Sequence, residues 1–339
     1  MSASADAVPR VHIVTPALAG ANNGNAHTAA RWQAFLAPVA ACEVALQWRG
    51  EPADLLIALH ARRSAGSIAA FHAAHPELPI AVVLTGTDLY RDIEDDAGAQ
   101  HSLECASALV VLQDEGPARL DGAARAKTRV IVQSAPSLLL PPRPAAQAEF
   151  VAVGHLREEK DPLTLMAAAR LAGSSVRIAH IGAALDAALG AAAAQTMQSC
   201  PGYRWLGAME HGAARRRIAR SLALVHPSRL EGGANVVIEA LRSHVPVLAS
   251  RIDGNLGLLG ADYDGSFEVG DAAGLTRLMR RFLDDADFAA HLAAQCAARA
   301  PRFRPALERA AVRQLVADLL EPRKRGAETI GAPLVTRSP

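Results

Sequence analysis

Short apolar runs rich in β-branched residues alternate with helical stretches along this chain, which restricts it to a parallel α/β fold. The first half holds VHIVT at 11–15, CEVALQW at 42–48, DLLIALH at 54–60, PIAVVLTG at 79–86, ALVVLQ at 108–113 and RVIVQS at 129–134. The alternation restarts with FVAVG at 150–154, a helix from about Pro162, then VRIAHIG, an Ala-rich helix, YRWLG, a basic helix, LALVHPS and PVLAS. Between the halves lies QSAPSLLLPPRPAAQ, where Pro136, Pro141, Pro142 and Pro144 favour an extended linker. The expected fold is α/β, with two Rossmann-like, doubly wound parallel sheets facing across a cleft. The expected boundaries are 1–132 for the first domain, 133–148 for the linker, 149–303 for the second, 304–320 for a last helix and 321–339 for a disordered tail.

With 339 residues, 50% hydrophobic and 20% charged, the chain can bury two cores. A net charge of +1 gives no electrostatic case for nucleic acid. The N-terminus has no basic start leading into an apolar core, and no apolar run approaches ~18 residues, so a cytoplasmic protein away from membranes is expected. Cys42, Cys105, Cys200 and Cys296 are too scattered for a metal-binding cluster and read as free thiols. Only three lysines occur, Lys127, Lys160 and Lys324, in a chain that otherwise uses arginine.

The most informative stretch is HPSRLEGGANVVIEALRSHVPVLAS, 226–250. A buried strand runs into the Glu231–Gly232–Gly233 turn, and Ala234–Arg242 then has helical spacing, with Val237, Leu241, Val236 and Ala240 on one apolar side. Such a turn aims free N–H groups and the positive helix end outward, which suits a phosphate. Glu231 and Glu239 frame it, and carboxylates there can accept from sugar hydroxyls or steady positive charge at an anomeric carbon. The plainer reading is an ordinary α/β corner with Glu239 exposed on its helix.

Other strand ends carry polar groups where open α/β sheets place ligands. The first strand leads into PALAGANNGN, which holds Gly20, Gly24 and Asn25 and matches no dinucleotide fingerprint. His60, Arg62 and Arg63 follow DLLIAL, and Thr85, Gly86, Thr87 and Asp88 follow PIAVVL. Arg62 and Arg63 also fit a solvated helix start, and Asp88 a helix cap. In GHLREEKDP, Arg157 and Lys160 can converge on one diphosphate, or Glu158–Lys160 can be an exposed charged turn. Asp262/Asp264 and Asp285/Asp287 match Asp-x-Asp only superficially.

Glu231 and Glu239 with seven residues between them, followed by Ala240–Leu241 and Pro246–Ser250, resemble the Glu-x7-Glu signature of family-four glycosyltransferases with the GT-B fold. GHLREEKDP is similar to the Gly-x-Leu…Glu-Lys-Gly segment of those enzymes. The resemblance implies that Arg157 and Lys160 bind the leaving diphosphate, that Glu231 lies by the donor sugar, and that Glu239 binds the ribose. It further implies that no metal or cofactor is needed and that the last helix, Arg304–Leu320, crosses back onto the first domain. The donor side then comprises Gly24, Asn25, Leu206, Gly207, Gly232, Gly233, Ala234, Asn235 and Glu239, with Arg157, Lys160 and Glu231 as the catalytic groups.

Along nearly the whole chain apart from its tails, VTPALAGANNGN, DLLIALHARRS, LTGTDLYRD, HPSRLEGGANVVIEAL and SRIDGNLGLLGADYDG resemble a narrower group, the selenosugar synthases of selenoneine biosynthesis. That likeness implies transfer of N-acetylglucosamine or glucose from its UDP carrier to the selenium of selenophosphate, leaving a 1-selenosugar, UDP and phosphate. It also implies coupling to an enzyme that makes selenophosphate and another that uses the selenosugar. His60, Arg62, Thr85, Gly86, Thr87 and Asp88 form the acceptor side. Many relatives carry His-Gly-x-Asp where this chain has Thr85-Gly86-Thr87-Asp88, which departs from the usual sugar-contacting histidine. An acceptor that is already anionic needs guidance of charge rather than removal of a proton. A conventional transfer to a hydroxyl is the alternative.

Overall fold

The computed structural model describes residues 8–18, 24–141, 144 and 147–329, with side chains described through residue 321. Two six-stranded sheets, parallel throughout, organise it. The first is built from β1 (Arg10–Val14), β2 (Ala41–Ala45), β3 (Leu55–Leu59), β4 (Ile80–Leu84), β5 (Ala108–Val111) and β6 (Thr128–Val130), in the order β2-β1-β3-β4-β5-β6. The second holds β7 (Phe150–Val153), β8 (Ile178–Ile181), β9 (Tyr203–Trp205), β10 (Leu224–His226), β11 (Val247–Ser250) and β12 (Ser266–Phe267), in the order β12-β11-β10-β7-β8-β9. Strands covered by helices on both faces read as continuous apolar runs, and every residue of β3, β4, β5 and β11 is buried. β12 has only two residues and no periodic signal, which is why the sequence gives no hint of it.

Each sheet has its own core. Trp32, Leu36, Ile57 and Val83 lie in one of two clusters flanking the first sheet, and Phe150, Val237, Leu241, Leu248 and Phe303 in that of the second. The final helix, Pro305–Thr329, lies on the helix Gly24–Leu36, and Val312, Leu315 and Val316 join the first lobe's core. Glu308 fixes this contact. Its buried carboxylate accepts from Arg31 Nε and Trp32 Nε1, each at 2.8 Å, and from Ser134 Oγ at 2.5 Å.

Two features differ from expectation. The linker begins inside the protein, because Gln133, Ser134 and Ala135 are buried and Gln133 donates to Thr28. The last helix runs to Thr329, into the stretch expected to be a disordered tail. Glu, Arg, Lys and Ala are good helix formers, and Pro322 removes one donor without ending the helix. Residues 330–339, Gly20, and the linker's Pro142, Arg143, Ala145 and Ala146 lie outside the described residues. Among the described residues, no helix is long and apolar enough to cross a membrane.

Candidate active site

The carboxyl ends of the two sheets meet, and glycines let them. A Cβ on Gly232 would sit 2.4 Å from the carbonyl of Thr85, and one on Gly233 2.7 Å from Cβ of Leu112. Gly86, at φ +147°, returns the contact: a Cβ there would lie 3.1 Å from the Gly232 nitrogen. The turn after β10 is thus pressed onto the turn after β4, so its backbone faces the other lobe rather than open solvent. Arg119 with Asp253, at 2.6 Å, adds an ion pair across the same boundary.

Glu231 is the focus of charge. Lys160 Nζ reaches its Oε1 at 2.5 Å, and His226 Nε2 stands 3.1 Å from the same oxygen, outside aligned hydrogen-bond geometry. Burial pushes the Glu231 carboxyl up, but Lys160 and His226 together more than offset it and hold it well below the usual range. Lys160 sits in a short 3₁₀ turn, and its stem lies along Gly154, at 3.4 Å from where a Cβ would be. The alternative of an exposed charged turn fails for Lys160, whose side chain is 20% exposed and paired. The next residue, Asp161, takes a left-handed backbone, caps the helix Pro162–Ala172 through Thr164 and pairs with Arg229 at 3.1 Å. Arg157 is half exposed, 3.8 Å from Glu159, and its buried Nε has no hydrogen-bond partner.

Glu239 is 6% exposed, so it is not an ordinary surface helix residue. It accepts from His211 Nε2 at 2.6 Å, with Arg215 Nε 3.8 Å away. That hydrogen bond raises the His211 pKa. His27, from the first lobe, stacks on His211 with ring centroids 4.3 Å apart; burial first, then the His211 charge, lowers its pKa. Gly24 opens the same first-lobe helix and approaches Asn235, whose Nδ2 is 3.5 Å from a would-be Cβ; Asn25 follows, half-buried. Ala234 and Asn235 begin the helix Asn235–Arg242. Leu206 and Gly207 stand at the end of β9, two strands from β7, with the Gly207 carbonyl bound to Gly182 N–H.

On the first-lobe side, His60 adopts φ 73°, a left-handed conformation rare for histidine, and its Nε2 lies 2.9 Å from Thr87 Oγ1. Burial lowers its pKa, against the pull of Asp88. Arg62 donates to Asp92 at 2.9 Å, while Arg63 is exposed in the turn before the helix Ala65–Ala74. Asp88 opens a single π-helical turn, Asp88–Asp92, and is fully buried. Its oxygens accept from the amides of Thr85, Gly86 and Ala61 at 2.8–3.0 Å. The carboxylate expected to face an acceptor is therefore spent on tying two loops together; Asp92 pairs with Arg62, and Asp88 and Asp92 each stand 3.8 Å from the His60 ring.

Sequence reasoning missed His226, His211, His27 and Asp92. The first two follow strands or open helices near known carboxylates, but only folding brings them into contact. Of the Asp-x-Asp pairs, Asp264 accepts from His291 and Gln295, and Asp285 caps a helix.

Residues 141–301 match the family described as Glycosyl transferases group 1. No curated protein matches the chain. Among solved structures, the Anabaena protein HepE in complex with UDP and glucose is similar over 91% of this chain and all of its own, at 15% identity and TM-score 0.72. Sucrose-phosphate synthase from Thermosynechococcus elongatus is similar over 93% of this chain and all of its own, at 15% identity and TM-score 0.74. The pneumococcal O-GlcNAc transferase GtfA, in complex with UDP and GlcNAc, matches 78% of this chain and 57% of its own, at 14% identity and TM-score 0.63. The two-lobed architecture is the GT-B fold.

Proposed function

We propose that this chain is a glycosyltransferase that takes a hexose from a UDP-sugar held against the second lobe and passes it to an acceptor presented by the first. The observation that carries the reading is the pair of buried carboxylates, Glu231 and Glu239, on either side of a Gly-Gly turn, the first paired with Lys160 and the second hydrogen-bonded to His211 with Arg215 close by. In this reading the diphosphate draws Lys160 and Arg157, whose buried Nε lacks a partner, and the ribose hydroxyls donate to Glu239. The departing UDP oxygen gains fixed positive charge without a metal, and Glu231 stabilises the sugar carbon as positive charge develops there. UDP bound to HepE and to GtfA is consistent with this assignment.

The acceptor in this reading is selenophosphate. An anionic selenium nucleophile needs no general base, and in this reading Arg62, which pairs with Asp92, and His60 guide its charge while Asp88 is committed to backbone amides. Selenium attacks the anomeric carbon of UDP-N-acetylglucosamine or UDP-glucose and the bond to UDP breaks; water then hydrolyses the P–Se bond, releasing phosphate and leaving a 1-selenosugar. Incubating the protein with each UDP-sugar, with and without selenophosphate, and weighing the products is the test. A selenium-containing hexose that forms only with selenophosphate is the expected result. UDP release with hydroxyl acceptors and no selenium product would instead mark a conventional O-transferase.

A further inference from the structure

Resting on that reading of the donor site, we propose that His226 takes up a proton as the UDP-sugar binds and becomes the counter-charge of Glu231 when Lys160 turns to the diphosphate. The argument starts from a conflict. Lys160 and His226 both approach Oε1 of Glu231, and among the described residues no other cation comes within 4 Å of that carboxylate. Yet Lys160 is also the ammonium best placed to meet the incoming diphosphate, with Arg157 three positions before it. It cannot serve both anions at full strength. A carboxylate as buried as Glu231, left without its partner, is strongly disfavoured.

The imidazole at 3.1 Å resolves the conflict. His226 is 2% exposed, ends β10, and its Nε2 makes no aligned hydrogen bond in the unliganded protein. One proton taken from solvent converts it into a cation against the oxygen that Lys160 vacates, so the charge around Glu231 is the same before and after binding. The neighbouring groups do not supply that proton. His180, from β8, lines the same crevice as Lys160 and Ser228, but burial drives its pKa down to about 4, and its Nδ1 is bonded to the Tyr203 hydroxyl. Arg229 is paired with Asp161, and Arg157 faces Glu159. Ser228 is uncharged. His226 is in this sense a positioning residue: it acts on the sugar through Glu231.

Calorimetric titration with UDP-glucose and with UDP-N-acetylglucosamine, whose diphosphate diesters do not titrate near neutrality, reads the proton directly. Each titration is run in two buffers of equal pH and different ionisation heat. The wild-type protein should take up roughly 0.3–1 proton per donor near pH 7. His226→Asn should bind donor with no uptake and more weakly. Glu231→Gln should also lose the uptake although the imidazole remains, because no carboxylate then needs compensation. His291→Gln, which changes an exposed histidine paired with Asp264, should keep it. Binding without proton exchange in the wild type, uptake that survives in His226→Asn, or uptake lost only in His291→Gln would each overturn the proposal. Should the asparagine variant fail to fold, His226→Gln takes its place with the same expectation. If neither donor binds at all, the UDP-sugar reading itself falls, an outcome distinct from binding without a proton.

Discussion

The turn after β4 and the turn after β10 are built alike and lie against each other. Each leaves a buried strand, passes glycine and enters a helical turn, and Gly86 meets Gly232 at the boundary. They differ in what their carboxylates touch. Asp88 binds three backbone amides of its own lobe, so its charge holds loops. Glu231 meets side chains instead, bonded to Lys160 and 3.1 Å from the His226 ring. A carboxylate satisfied by backbone is a structural part, whereas one satisfied by side chains that a ligand can recruit is a reserve of charge. Residue type and distance from the strand end do not distinguish the two.

The sharpest way to break this contrast is to remove the side-chain partner. Lys160→Ala should lower turnover by roughly 10²–10³-fold, as loss of a preorganised charge contact does; steady-state rates of UDP release measure it, and near-normal turnover would remove the diphosphate assignment. Asp88→Ala should do the opposite kind of damage. It leaves buried amides without an acceptor and should cost about 3 kcal/mol of stability in denaturant titration, while donor affinity in the folded fraction stays near wild type. A third expectation concerns acid and the second lobe. His180 is held neutral by burial, at about 4. As pH falls below the ordinary histidine range the unfolded chain binds a proton that the folded lobe refuses, so stability declines. Denaturant midpoints at pH 7 and 5 should differ by about 2 kcal/mol more in wild type than in His180→Asn. Smallest is Glu239→Gln, which keeps the shape and loses the charge. It should weaken UDP binding by about 1 kcal/mol, leave turnover at saturation nearly unchanged, and return the His211 titration toward ordinary histidine behaviour in NMR.

The central strands were legible because burial on both faces leaves unbroken apolar runs, and Leu55–Leu59 and Ile80–Leu84 show it most simply. The spacing of Glu231 and Glu239 was equally plain, since both belong to one strand–turn–helix unit. Their partners were not. His226 sits five residues before Glu231 yet reads as a strand end, and His211 and His27 come from helices far off in sequence. The fate of Asp88 was hidden for another reason. A carboxylate two positions after a glycine can cap, clamp or face a ligand, and only the path of the loop decides which.

Glu308 carries a consequence for biosynthesis. Trp32 sits at the heart of the lobe made first, yet the acceptor of its indole N–H is 276 positions further along the chain. Synthesis must therefore reach Glu308 before the N-terminal half can close its own interior. Until then that half keeps bare the apolar flank that Val312, Leu315 and Val316 will cover.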